Sequence, residues 1–489
     1  MSLVYSAQRL ARELGPWRST DSAGTAYRAL ADRIRLLLLD GRLPSGTRLP
    51  AERELASTLS VSRTTVAGAY ATLRAGGYLT SVRGSGSVLS LQGTTTPTRA
   101  DTAAGLTEDA GPAHEAQRWD LTQSAPPAYA GLAAAYRQAL EVLPGYMPEA
   151  GLDLGGLPAL RDAVARHFEE RGVPTAPAQV MITLGAQHGL RLVAQHIHLP
   201  GGRVLLEQPT YPHAIDTFRS LKARLIAAPV DVHGTDVEAV VGLLRAHRPP
   251  LAYLMPDFQN PTGSSLDDED RARIALAARS AGTVVIADET TAMLDLDRGP
   301  RTPLAAHGEN VVTIGSLSKT AWGGVRVGWI RGRRDLLESI RLQRRSIDLG
   351  TPILEQLTAT VLLHDERTMV DARLTQLRAQ RDAMLTELAA RFPGWTLPPA
   401  PGGLSLWVGL GDLSSSALTL AARAEGITLV PGPRFGLDGA FERFIRVPAV
   451  VPVPEIEPVL TALAAAVRRV EEGSPARRRS AASALAPVV

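Results

Sequence analysis

The chain of 489 residues is 45% hydrophobic and 21% charged, with no cysteine and a formal net charge of +3, enough apolar material for a large core and more length than one domain usually takes. The lack of cysteine excludes a disulfide framework and thiolate metal sites, so packing must hold the fold and any nucleophile must be another residue. The opening MSLVYSAQRLARELG has no apolar signal core, and no stretch reaches the roughly 20 apolar residues of a membrane span, which predicts a cytoplasmic protein with no membrane partner.

Charge is divided unevenly along the chain. Residues 1–90 hold 12 arginines against six carboxylates, leaving 40 basic and 43 acidic residues for the remainder. A basic small domain ahead of a mildly acidic large one suits a polyanion at the first, or is merely a solvated face. Within it, Tyr27, Leu30, Ile34, Leu37 and Leu38 recur at helical spacing. A second helix is expected to open at Pro50 and bury Leu55 and Leu59, proline being suited to a first helical position. Ser62 can cap a third, whose apolar face is Val66, Tyr70 and Leu73, leaving Arg63, Thr64 and Thr65 exposed at its start. Such an end is where a recognition helix meets base edges and phosphates. Strands at Tyr78–Val82 and Ser87–Leu89 then flank the turn RGSG, with Arg83 at a wing tip.

Residues 91–118, rich in Thr, Ala, Gly and Pro, read as a flexible linker able to span roughly 30 Å. From 119 to 472 strand-like runs alternate with helical patterns: 180–184, 203–207, 251–255, 284–288, 311–315 and 327–331. The intervals suit crossover helices, so an α/β domain with a mostly parallel sheet covered on both faces is expected, giving way at about Asp335 to a smaller subdomain. The tail 473–489 has no periodic apolar face and is expected to be disordered.

Lysine occurs only at 222 and 319, all other basic side chains being arginine. An amine condenses with an aldehyde and a guanidinium does not, so Lys319 in SLSKT, just beyond the run VVTIG, is either a covalent anchor or a chance lysine. An aldehyde cofactor such as pyridoxal phosphate (PLP) needs more than an amine: an acid at its ring nitrogen, a donor to its phenolic oxygen, an aromatic lid and a phosphate cup. Asp288 at the end of VVIAD can serve the nitrogen and Asn260 in NPTG the phenolic oxygen. Tyr211 in EQPTYP can stack on the ring. Gly185, Ala186 and Gln187 sit at a strand-to-helix junction whose N–H groups suit phosphate, and Ser316, Ser318 and Arg326 can complete the cup. His196 and His198 lack a third ligand at zinc-like spacing, so no metal site is expected.

GRLPSGTRLPAERELA, SVSRTTVAGAY and GGYL with RGSGS resemble the GntR family of bacterial regulators over residues 24–90. The resemblance implies a winged helix-turn-helix binding a double-stranded DNA operator, with Arg53, Ser62, Arg63, Thr64 and Thr65 on DNA, Arg83 and Gly84 in the minor groove and Arg48 on phosphate. Ala67 stands where family members often carry a base-reading side chain. The residues gathered around Lys319 resemble, in their order, fold-type I aminotransferases over roughly 119–470, and the fusion resembles the MocR subgroup of regulators. That resemblance implies PLP, a homodimer, and Arg446 in FIRVPAV as the arginine for the carboxylate of an amino acid or amine effector. Two departures stand out: Thr290 replaces a tyrosine common two residues after the aspartate, and Tyr146 is an uncertain match for a tyrosine that reaches the partner's phosphate. Three functions follow: a regulator sensing PLP or a PLP–amine adduct, an aminotransferase with an appended domain, or a regulator whose decayed pocket serves as a dimerisation scaffold.

Overall fold

The computed structural model describes residues 4–15, 17, 26–39, 41–82, 86–90, 119–231, 234–437 and 439–473. Arg83 and Gly84, the predicted linker 91–118 and the tail from 474 lie outside these residues. The described residues fall into two compact units, one drawn from Met1–Asp120, Leu410–Ile445 and Val459–Val489, the other from Leu121–Gly409 and Arg446–Pro458. Among the described residues no helix is long and apolar enough to cross a membrane.

The first unit opens with a helix that sequence reasoning missed, α1 (Ala7–Leu14). The hydroxyl of Ser6 caps it by accepting from the N–H of Arg9 at 3.2 Å. Ala7, Leu10 and Leu14, three and four residues apart, are fully buried. Then come α2 (Ala26–Leu39), α3 (Glu52–Thr58) and α4 (Arg63–Ala75). A hairpin follows in which β1 (Leu79–Val82) pairs antiparallel with β2 (Gly86–Leu89), Leu79 opposite Leu89. Leucines 10, 14, 30, 37 and 55 close one core with Val66, Tyr70, Leu79 and Leu89. Each leucine taken fully out of water contributes about 1.5–3 kcal/mol, so α1 is as much part of this core as the three helices behind it. Pro50, expected at a first helical position, instead precedes the helix. Extended Ala51 takes the cap position, and the Pro50 carbonyl accepts from the Tyr70 hydroxyl at 2.8 Å. Leu55 is fully buried, whereas Leu59 is half-buried.

A short strand β3 (Trp119–Asp120) pairs in parallel with Ile427–Thr428. The second unit is an α/β domain whose first elements are α5 (Leu132–Val142), α6 (Pro158–Glu170), β4 (Val180–Thr183), α7 (Ala186–Ile197), β5 (Arg203–Gln208), α8 (Pro212–Ser220), β6 (Arg224–Asp231) and β7 (Gly234–Thr235). Strands β8 (Leu251–Leu254), β9 (Val284–Asp288), β10 (Val311–Ser316) and β11 (Gly328–Arg331) complete a sheet of order β4-β11-β10-β9-β8-β5-β6-β7. Every residue of β4, β8, β10 and β11 is buried, as a sheet covered on both faces requires.

All six predicted strands are present, in a sheet that is mostly parallel as expected but carries antiparallel pairings as well. β11 runs antiparallel to both β10 and β4. The segment 317–327 before it contains no α-helix, and a parallel return needs a crossover of about a dozen residues or more, usually helical. β6 was not predicted: Pro229 lies in it and its burial is only partial, so it lacks the apolar run of its neighbours. The carboxyl ends of β4, β5, β8, β9 and β10 share one edge of the sheet, where open α/β sheets bind ligands.

Candidate functional site

Along that edge the second unit gathers the residues singled out around Lys319. Lys319 follows β10, half-buried, and its Nζ donates to the carbonyl of Ser124 at 2.8 Å. Burial first, then the positive charge of Arg446, pulls its pKa from 10.5 down to about 8, while Asp288 opposes the fall. That balance places Arg446 and Asp288 on either side of the amine's electrostatics. Arg446, 6% exposed, donates through Nη2 to the carbonyl of Thr122. Ser124 is held in turn, its hydroxyl 3.0 Å from that of Ser405. The segment 121–124 therefore carries a carbonyl for each of the two cations.

Asp288 closes β9 at 5% exposure. Its Oδ1 accepts from the N–H of Thr290 at 3.0 Å and the hydroxyl of Thr290 at 2.5 Å, and its Oδ2 accepts from the hydroxyl of Tyr253 at 2.8 Å. Tyr253, fully buried in β8, is a site residue that sequence reasoning missed. Burial, then the adjoining Asp288 carboxylate, raises its phenol well above the ordinary range, so it stays a donor. The one signal available was its polar hydroxyl in an otherwise apolar strand. Thr290, in place of a phenol, has become a clamp on the aspartate.

Gly185 caps the start of α7 at φ +83°, and a Cβ there would come within 3.2 Å of the Arg326 guanidinium. Arg326, itself at φ +53°, donates to the carbonyl of Leu184 at 2.8 Å, which brings its charge to the N-terminus of α7. Ala186 is buried there. The side chain of Gln187 turns instead to α8, donating to the Thr217 hydroxyl at 2.9 Å, so only its backbone faces the helix start. Ser316 spends its hydroxyl proton on the carbonyl of Val327 at 3.0 Å and accepts from the N–H of Ser318 at 3.1 Å. The donor set, a helix start, a guanidinium and a tied serine turn, is chemically suited to a phosphate.

Tyr211 precedes α8, its hydroxyl 3.2 Å from Nδ1 of His213. Asn260 keeps a buried Oδ1 without a hydrogen-bond partner. The turn bearing it is tied down by Gln259, which donates to the Pro209 carbonyl at 2.6 Å and accepts from Thr262. Below the turn, Glu207 accepts from Thr235 at 2.7 Å and from the N–H of Met255 at 2.9 Å. Full burial pushes this carboxyl up to about 7. A side-chain amide in a buried turn, a lowered amine, a doubly clamped carboxylate and a cationic helix start fit PLP in the chemistry they offer.

In the first unit, Ser62 caps α4, accepting from the N–H of Thr65 at 3.1 Å, with the hydroxyls of Thr64 and Thr65 at 2.7 and 2.8 Å. Arg63 is 73% exposed and only 3.8 Å from Glu52. Arg53 is exposed at the start of α3. Arg48 is half-buried, its guanidinium packed toward Gly86 of β2. Arg63, Thr64 and the cap thus share the helix start expected to face DNA, and Arg48 belongs to the hairpin side.

Comparison with known proteins matches residues 146–463 to the family described as aminotransferase class I and II, and residues 26–89 to the bacterial regulatory proteins of the gntR family. The chain is similar to a 2-aminoadipate transaminase of Thermus thermophilus, 32% identical across 58% of this chain and 74% of the relative. It is similar over 86% of its own length and 91% of the relative's to the HTH-type transcriptional regulator TauR of Rhodobacter capsulatus, at 27% identity. Among solved structures, the α-aminoadipate aminotransferase LysN of Thermus thermophilus, complexed with N-(5'-phosphopyridoxyl)-L-leucine, is similar with a TM-score of 0.68 at 26% identity, over 74% of this chain and 94% of that one.

Proposed function

Since the chain belongs to the aminotransferase class I and II family and joins to it a GntR-family DNA-binding domain, the make-up of MocR-type regulators, we propose that it controls transcription by holding PLP at Lys319 and altering operator affinity in response. The observation that carries this reading is one chain bearing both a capped recognition helix with an exposed start and a half-buried amine lowered to about 8. PLP, when bound, supplies an aldehyde for amines and a ring that withdraws electrons. Lys319 would hold the aldehyde, Asp288 the ring nitrogen, Asn260 the phenolic oxygen and Tyr211 the ring face. The backbone of Gly185, Ala186 and Gln187, with Ser316, Ser318 and Arg326, would hold the phosphate. Arg446 would take the carboxylate of an amino acid effector, its fork geometry matching two oxygens.

To act as a switch the ligand must bind one arrangement of the protein more tightly than another. Operator affinity measured with and without PLP, and with PLP plus amino acids, is expected to shift about 5–150-fold, the usual range of a coupling free energy. Equal affinities under all conditions would remove the sensing role and leave a DNA-binding scaffold.

Tyr253 supports the reading as a positioning residue. Tyr253→Phe removes a hydrogen bond to an ionised group worth about 1.5–3 kcal/mol, and PLP affinity read by absorbance is expected to weaken about tenfold or more. An unchanged affinity would mean that Thr290 alone holds Asp288.

A homodimer is supported by exposed apolar side chains at Leu140, Val142, Met147 and Leu152 and at Leu342, Ile347 and Leu349. The two stretches adjoin, Gly350 packing on the backbone of Asp153. Apolar patches of this kind mark interfaces, and sedimentation at micromolar concentration should give twice the chain mass; a monomer there would contradict it. The likeness to a transaminase favours a second reading, turnover, which repeated transfer from an amino donor to a keto acid would establish.

A further inference from the structure

Helix α1 and the residues leading into it lie ahead of the span 26–89 that carries the DNA-binding likeness. They are nevertheless built into the reader. Val4 bridges in parallel to Arg48, and Arg48 bridges to Val88 of β2, so the chain start adds a rung to the wing's edge. The N–H of Tyr5 donates to the Arg48 carbonyl at 3.1 Å, and α1 packs on α3. In this motif α3 is the helix that crosses the phosphate backbone. The buried stripe Ala7, Leu10 and Leu14 turns Gln8, Arg9 and Arg12 outward, all three exposed. Glu13, the one carboxylate among the described residues of this stretch, is neutralised by Arg42 at 2.8 Å. The Arg9 guanidinium lies 4.0 Å above the Tyr5 ring and donates to its hydroxyl at 3.2 Å, which fixes the place of an otherwise exposed side chain.

We propose that α1 is a second DNA-contacting element of the reader, its outer face placing Arg9 and Arg12 on phosphates beside those met by α3 and α4. The proposal rests on the DNA-binding reading and adds to it a contact outside the winged helix-turn-helix itself. Because the side chains meet phosphate rather than bases, they add affinity for any duplex and no sequence preference.

The test is the salt dependence of binding, measured on full-length protein with an operator and a random duplex. Each phosphate contact contributes about 0.9 to the slope of log affinity against log salt. Arg12→Gln is expected to lower the slope by about 1 and the pair Arg9→Gln and Arg12→Gln by about 2, equally on both duplexes, with Arg12→Lys restoring it. Slopes equal to the wild type's in variants with unchanged circular dichroism and melting would overturn the proposal, as would weaker binding at an unchanged slope. Wild-type protein that binds neither duplex would instead overturn the DNA reading on which it depends.

Discussion

Lys319→Ala is expected to lose the near-visible band of lysine-held PLP entirely and to leave operator affinity the same with or without PLP. The only other lysine, Lys222, lies at φ +61° in the turn between α8 and β6, away from the sheet edge that carries the site. The same residue sets a pH dependence. Only the neutral amine attacks an aldehyde, and Lys319 is lowered from 10.5 to about 8. The rate of PLP capture should therefore climb as pH rises through 8 and level off above it, because the folded amine is already neutral there. At pH 7 about one molecule in ten is reactive, against fewer than one in a thousand for an ordinary lysine. A rate still climbing steeply toward pH 10 would show that the buried environment is not lowering this amine. A band surviving in Lys319→Ala would remove Lys319 as anchor.

Arg63→Ala should separate specific from general DNA binding. Arg63 begins α4, is 73% exposed and is held only by a 3.8 Å pairing with Glu52, a contact worth little at a surface. Its guanidinium is available to a base edge, and its loss should cost about 1–3 kcal/mol on the operator and much less on a random duplex. Arg48→Ala should weaken both duplexes alike and lower the salt slope by about 1, as a phosphate contact does. Equal losses on both duplexes for Arg63→Ala would show that it reads phosphate, not sequence.

Most of the fold was legible because the relevant residues obey local rules. Ser62 stands before an apolar stripe at 66, 70 and 73 and caps it, and the apolar runs 284–288 and 311–315 are the buried strands their composition predicts. What escaped was decided by partners distant in sequence. Helix α1 has the three-and-four spacing of Ala7, Leu10 and Leu14, yet eight residues form no stable helix until a core receives them. The direction of β11 depends on the short path 317–327, not on its own residues. In the site, the residue types around Lys319 were readable from their chemistry. Their bonds were not: Gln187 turns to Thr217, Ser316 is committed to Val327, and Tyr253 reaches Asp288 from a strand 35 positions earlier.

The carbonyls of Ser124 and Thr122 give the site a further property. Lys319 and Arg446, which a ligand would need on the proposed reading, are both hydrogen-bonded to backbone carbonyls of residues 122 and 124. On that reading these two carbonyls occupy donors that a ligand would use. An amino acid that called on the Nη2 of Arg446 would compete with a backbone carbonyl, and its affinity would be the intrinsic one reduced by the fraction of time that contact is broken. By linkage the competition would run both ways, so a change that loosens the backbone of residues 122–124 would raise the site's affinity for such a ligand.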